Sequence, residues 1–190
     1  MDFTKKDRLV SNVYESSNIS TIAKLDPHSI ITSDMFIDED TFKAVDSIRD
    51  NIVDTLWIDE YVAESVLVVT DDRKLASNII YSMVRTYVED TKRVAPSRNV
   101  PRLAEYHWDV ISPHIDSTDG MLYSFLNCEL LVLHVTDCTN RLLGLISARN
   151  SNGRPTIINS VLGFKAPDEL TGLVSQMGTI ITARKANNEE

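Results

Sequence analysis

The chain has 190 residues, 43% hydrophobic and 25% charged, with a formal net charge of -9 and a pI near 4.9. That length holds one α/β domain with a sizeable core and a short arm. No apolar run approaches the roughly 20 residues of a membrane helix, and the charged start Met1-Asp2-Phe3-Thr4-Lys5-Lys6 leads into no signal core. An acidic surface repels phosphate backbones, which argues against a stand-alone nucleic-acid binder. Cys128 and Cys138 lack metal spacing and fit reduced thiols in a cytoplasmic protein.

Residues 1–35 are polar and mixed, and read as an N-terminal arm, helical or partly disordered. Its basic cluster of Lys5, Lys6 and Arg8 suits a partner-binding tail or a frayed terminus. The main domain is expected over residues 36–190. Phe42, Val45, Ile48, Ile52, Val53 and Leu56 recur at helical spacing and predict an amphipathic helix over 39–56. Asp38, Glu39 and Asp40 at its start complement the helix dipole. They do not make a calcium loop, because the turn glycine and terminal ligand are missing at the required spacing.

A β-branched strand follows from Glu64 to Thr70, then a polar turn, then a helix from Leu75 to Tyr87 with Leu75, Ile79, Ile80, Met83, Val84 and Tyr87 on one face. Strand, turn and helix with a lysine at the turn is the place of a phosphate-binding loop. Such a loop needs glycines, so that backbone N–H groups approach the phosphates. Aligned on Lys74, the pattern G-x-x-x-x-G-K-[ST] meets Val68, Arg73 and Leu75 at its other fixed positions. Asp71 and Asp72 put negative charge where a triphosphate would sit. Lys74 therefore reads as a solvated residue in a degenerate loop.

Lys92, Arg93, Arg98 and Arg102 form the one basic region, interleaved with Pro96 and Pro101. It is a contact site for DNA or a protein partner, or a solvated loop paired with the chain's own acids. Val110 and Ile111 read as a strand end. His107 and His114 stand in a loop-rich region without cysteine or carboxylate at ligand spacing, which argues against a metal. Asp116 to Asp119 would cap a helix through Met121, Leu122, Phe125 and Leu126.

The apolar runs Leu130 to Val135 and Thr156 to Ile158 flank a segment of helical length. This is the pattern of buried parallel strands joined by a crossover helix. A short helix is expected at Pro167 to Leu170, a second over about 172–177 ended by Gly178, and a final strand from Thr179 to Thr182. His134 with Asp137 makes a conceivable proton-transfer pair, and Ser147 and Ser160 are nucleophiles on paper. No G-x-S-x-G or other triad signature accompanies them.

From about residue 38 to 185 this order of elements resembles the AAA+ ATPase domain of DnaC/DnaI-type helicase loaders and the transposition ATPase IstB. Val66-Leu67-Val68-Val69 looks like the strand before the phosphate loop, and Leu75-Ala76 like the start of its helix. Asn127-Cys128-Glu129-Leu130-Leu131-Val132-Leu133 looks like the strand that carries the Walker B acids. Ile146 through Ile158, with Arg149 and Gly153-Arg154-Pro155-Thr156-Ile157-Ile158, looks like the helix and strand leading to the first sensor. Leu173-Val174-Ser175-Gln176-Met177-Gly178-Thr179-Ile180-Ile181 looks like the sensor helix and last strand. The resemblance implies an α/β fold: a three-layer P-loop NTPase-like (AAA+-like) domain with a mainly parallel sheet.

The departures fall on the chemistry. Walker A lacks both glycines and the Ser/Thr, His134 and Val135 stand at the Walker B acids, Val161 at the first sensor, and Gln176 at the second-sensor arginine. Without the carboxylates there is no metal site and no group to position water. The expectation is a degenerate nucleotide site, no cofactor, no metal and no ATPase activity. The implied function is a non-catalytic interaction subunit, an accessory or adaptor in DNA replication or recombination, encoded by a phage or mobile element among other sources. It would act through an active AAA+ ATPase or replicative helicase, as a homo- or hetero-oligomer, with weak or indirect DNA contact and no membrane. Arg149 and Arg184 are the candidates for an arginine supplied in trans. The alternatives are an inhibitor mimicking a helicase loader, an α/β enzyme or ligand-binding protein unrelated to ATP, and a DNA-binding accessory using Lys92, Arg93, Arg98 and Arg102.

Overall fold

The computed structural model describes residues 13–14, 31–57, 65–94, 103–113, 126, 128–160 and 166–186. Its strands are β1 (Val13–Tyr14), β2 (Ser65–Thr70), β3 (Leu103–His107), β4 (Leu130–Val135), β5 (Thr156–Ser160) and β6 (Gly178–Ala183). Its helices are α1 (Glu39–Trp57), α2 (Arg73–Val94), α3 (Trp108–Ile111), α4 (Asn140–Ser151) and α5 (Asp168–Met177). The sheet order is β1-β3-β4-β5-β2-β6. All neighbours pair in parallel except β1, which runs antiparallel to β3.

β2, β4 and β5 are buried at every position. That is why they read as unbroken apolar runs: helices cover both faces of a parallel sheet. On one face Val66, Val68, Val132, Ile157 and Ile181 meet Val45 of α1 and Ile79, Ile80 and Met83 of α2. On the other, Leu67, Leu131, Leu133 and Ile158 meet Leu142 and Ile146 of α4 and Leu170 and Val174 of α5. Each such fully buried side chain contributes about 1.5–3 kcal/mol. The three layers expected from the sequence are present.

Several boundaries differ from expectation. Residues 103–107 form a strand, and Val110 and Ile111 lie in the one-turn helix α3 rather than at a strand end. α5 is one helix across Gly172, where two were expected. Residues 13 and 14 of the expected helical or disordered arm form the antiparallel edge strand β1, paired to Ala104 and Leu103. Ile31 and Phe36 are buried in the α1–α2 side of the core, so the domain recruits residues before 36. The helix expected around 116–126 lies outside the described residues apart from Leu126.

Local chemistry sets the turns around β5 and β6. Thr139 caps α4, its hydroxyl accepting from Leu142 N at 3.2 Å. α4 ends with Gly153 at φ 62, while Arg154 N donates to the Arg149 carbonyl at 2.8 Å. α5 passes into β6 with no connecting residue. At that junction a Cβ on Gly178 would collide with the backbone carbonyl of Ser65.

Candidate functional site

The strand likened to the first-sensor strand, β5, lies between β2 and β4. The carboxyl ends of these three strands therefore converge where open α/β sheets bind ligands. The β2–α2 connection is only two residues, Asp71 and Asp72. Asp72 N donates to Thr70 Oγ1 at 3.2 Å, Leu75 N donates to Asp72 Oδ1 at 2.8 Å, and Ala76 N donates to the Asp72 carbonyl at 3.0 Å. Lys185 Nζ stands 3.3 Å from Asp72 Oδ2. The helix terminus that would receive a phosphate in a nucleotide-binding protein thus holds a carboxylate of its own chain. Burial pushes the Asp72 carboxyl up, but the Leu75 N–H and the Lys185 ammonium outweigh it and hold it below its ordinary value. Lys74 is exposed in the first turn of α2.

Lys185 belongs to a second junction. It forms an antiparallel bridge with Phe36, flanked by Ile37 N donating to the Arg184 carbonyl at 3.1 Å and Ala186 N donating to the Met35 carbonyl at 3.2 Å. The Asp72–Lys185 contact therefore links the start of α2 to the end of β6 and to the segment entering α1.

Strand register places His107 opposite His134, and His134 opposite Asn159. Alternation along each strand puts these side chains on the α1–α2 face, with Val132 and Ile157. His134 Nε2 lies 2.7 Å from Glu105 Oε1, and Tyr81 OH donates to the same oxygen at 2.8 Å. Asn159 Nδ2 lies 2.9 Å from His134 Nδ1. The His107 ring stacks on His134 with centroids 4.7 Å apart and planes at 23°. One hydrogen-bonded chain thus crosses α2, β3, β4 and β5. Both nitrogens of His134 are engaged, by Glu105 and Asn159, and not by Asp137 as the sequence pairing had it.

Burial pushes the Glu105 carboxyl up. The hydrogen bonds from His134 and Tyr81, with the charges of His134 and His107, together outweigh it and leave the group below its ordinary 4.5. A carboxyl depressed on folding stabilises the native state above its unfolded pKa, and that contribution disappears as pH falls through the lower folded value. Urea unfolding of the wild type should therefore show a loss of stability below about pH 4.5, and Glu105→Gln should flatten that dependence. An unchanged slope in the variant would remove Glu105 from the account.

Arg149, expected to reach a partner, is fully buried and cannot do so. Its Nε donates to Thr156 Oγ1 at 3.0 Å, Nη1 to the Cys128 carbonyl at 3.0 Å, and Nη2 to the Pro155 carbonyl at 2.8 Å. Burial lowers its pKa, and the same burial raises the Cys128 thiol, which lies 3.2 Å from Nη1. Arg184 is exposed near the end of β6. Lys92 and Arg93 fall in the last turn of α2, and Arg98 and Arg102 lie outside the described residues. Ser160 is buried on the opposite face of β5 from Asn159, with its hydroxyl unpartnered. Gln176 is exposed on α5, and Val161 lies outside the described residues. Among the described residues no cluster of three or more His, Cys, Asp or Glu is arranged to hold a metal, and no helix is long and apolar enough to cross a membrane.

Sequence reading missed Tyr81, Glu105 and Asn159 as members of one network. The signal lay in the alternation of Leu103, Glu105 and His107 against Ala104 and Tyr106, which marks a strand with a polar end on one face.

The elements form a three-layer α/β fold with a mainly parallel sheet, of the P-loop NTPase-like type. Solved structures share it. One is a candidate primosome component from Streptococcus pyogenes serotype M3, with TM-score 0.57 and 13% identity, covering 84% of this chain and 88% of that one. Another is a DNA replication initiation factor, with TM-score 0.50 and 10% identity, covering 80% of this chain and 47% of that one. This chain thus spans about half of the second protein. No family model matches the chain, and no curated protein does.

Proposed function

We propose that the chain is a non-catalytic AAA+-like interaction subunit, an accessory or adaptor in DNA replication or recombination that works through an active AAA+ ATPase or replicative helicase. The observation that carries this reading is the Asp72 carboxylate at the head of α2, 2.8 Å from Leu75 N and paired with Lys185. A triphosphate brought there meets like charge and a helix terminus whose Leu75 and Ala76 N–H groups are already engaged by Asp72. The two-residue connection also lacks the glycines that let a loop wrap a phosphate. At the Walker B position, His134 is held from both sides by Glu105 and Asn159 and has no spare nitrogen for chemistry. The replication setting is drawn from what the two similar structures are described to be.

The test titrates ATP with magnesium against the full chain, following binding by calorimetry and turnover by phosphate release. The expected result is neither binding nor release, together with co-purification of a replicative helicase or an AAA+ ATPase from the native host. Tight ATP binding or turnover would overturn the non-catalytic reading. Added to a helicase-loading reaction, an adaptor raises helicase loading and a loader mimic lowers it.

A further inference from the structure

We propose that Asn159 is a proton-controlled amide switch: it donates to neutral His134 and turns over to accept from the protonated ring. The two ring nitrogens meet unlike partners. Nε2 lies 2.7 Å from Glu105 Oε1, and a carboxylate only accepts, so Nε2 carries a hydrogen in either charge state. Nδ1 lies 2.9 Å from Asn159 Nδ2, a donor, so Nδ1 is the bare nitrogen of the neutral ring. Any proton the ring gains arrives at Nδ1, facing an NH2 group. The His134 side chain is 11% exposed, which leaves little room for water to take over that bond.

An amide resolves the conflict by itself. Half a turn about χ2 replaces Nδ2 with Oδ1 in the same footprint, and the bond to Nδ1 is restored with its direction reversed. A valine or leucine at 159 would leave Nδ1 unpaired in both states, and an aspartate would satisfy only the charged ring. Among the described residues the ionisable groups around the ring are Glu105 and His107 from β3 and Tyr81 from α2; β5 contributes the neutral amide. His107 stacks on the ring with centroids 4.7 Å apart.

The consequence lies inside the sheet's α1–α2 face, where Asn159 is buried. Asn159 pairs in register with Val68 of β2. When the amide turns, its edge away from His134 changes from acceptor to donor. The edge turned away from His134 therefore offers its buried surroundings a carbonyl while the ring is neutral and an N–H once it is protonated. Nothing in this step depends on whether the chain binds ATP.

The experiment follows the full chain by 15N NMR from about pH 8 to about pH 5, reading the histidine ring nitrogens and the asparagine side-chain NH2 signals, with His107→Ala to assign the rings. His134 is expected as the Nε2–H tautomer at high pH, with Nδ1 gaining the proton and the Asn159 NH2 signals moving at the same midpoint. Glu105→Gln should lower that midpoint by about one to three pH units, and Asn159→Asp should raise it. Asn159 signals that stay fixed while His134 titrates would overturn the switch. So would a His134 ring that stays neutral across the range in both the wild type and Asn159→Asp. If a variant fails to fold, the wild-type titration decides alone.

Discussion

Arg149→Ala should lower the unfolding free energy by about 3 kcal/mol or more, and the melting temperature by about 6–12 °C. The guanidinium fork reaches four acceptor atoms on two chain segments: the carbonyl and Sγ of Cys128 just before β4, and Pro155 and Thr156 at the start of β5. Removing it takes a buried charged donor from each of these acceptors, at about 1–3 kcal/mol for each one left without another donor, and leaves a void the size of the side chain. Arg149→Lys should recover only a minor part of the loss, because one ammonium cannot span a site built for a planar fork. Arg149→Met should fill the space and still supply no donor to the acceptors. Urea denaturation followed by circular dichroism measures all three, and an Arg149→Ala midpoint equal to the wild type would refute the assignment.

Gly178→Ala should cost about 2–3 kcal/mol, an unusually large effect for adding one methyl group. The new Cβ meets the Ser65 carbonyl, which is backbone and cannot rotate aside, so β6 must move off β2. Gly153→Ala offers the contrast. Nothing stands within 4 Å of its Cβ position, and only the positive φ of 62° opposes the change. Its cost should be about 1–2 kcal/mol, from backbone conformation alone. Thermal unfolding of the pair separates collision from strain, and equal effects would mean that the α5–β6 junction relaxes freely.

What was legible in the sequence is what both faces of the sheet dictate. β2, β4 and β5 are buried throughout, so their apolar runs announced them. β3 was hidden because Glu105 and His107 spend its polar face on the network with His134, and a strand with a polar half reads as loop. Arg149 was misread for a related reason. It occupies the buried stripe of α4 with Leu142, Leu145 and Ile146, at helical spacing, but a charge on that stripe looks like surface until its acceptors are known. Two of those acceptors are backbone carbonyls, which no side-chain pattern reports. At the nucleotide position, the sequence told of missing glycines. It did not tell that Asp72 turns inward to cap α2 and meets Lys185 from the far end of the domain.

The strand order also sets a timetable for the chain as it is made. β2 lies between β5 and β6, and its partners in register are Ile157 for Val66 and Gly178 for Ser65. Its apolar residues leave the ribosome long before either neighbour exists. At about 5–20 residues per second the interval is roughly 5–20 s, far longer than hydrophobic collapse requires. During that time a strand buried at every position in the finished protein has α1 and α2 to shelter it on one face and neither of its sheet neighbours. The nascent chain should therefore engage a holding chaperone, such as one that binds apolar extended segments, through the Val66 to Val69 run, and release it only once β6 has emerged.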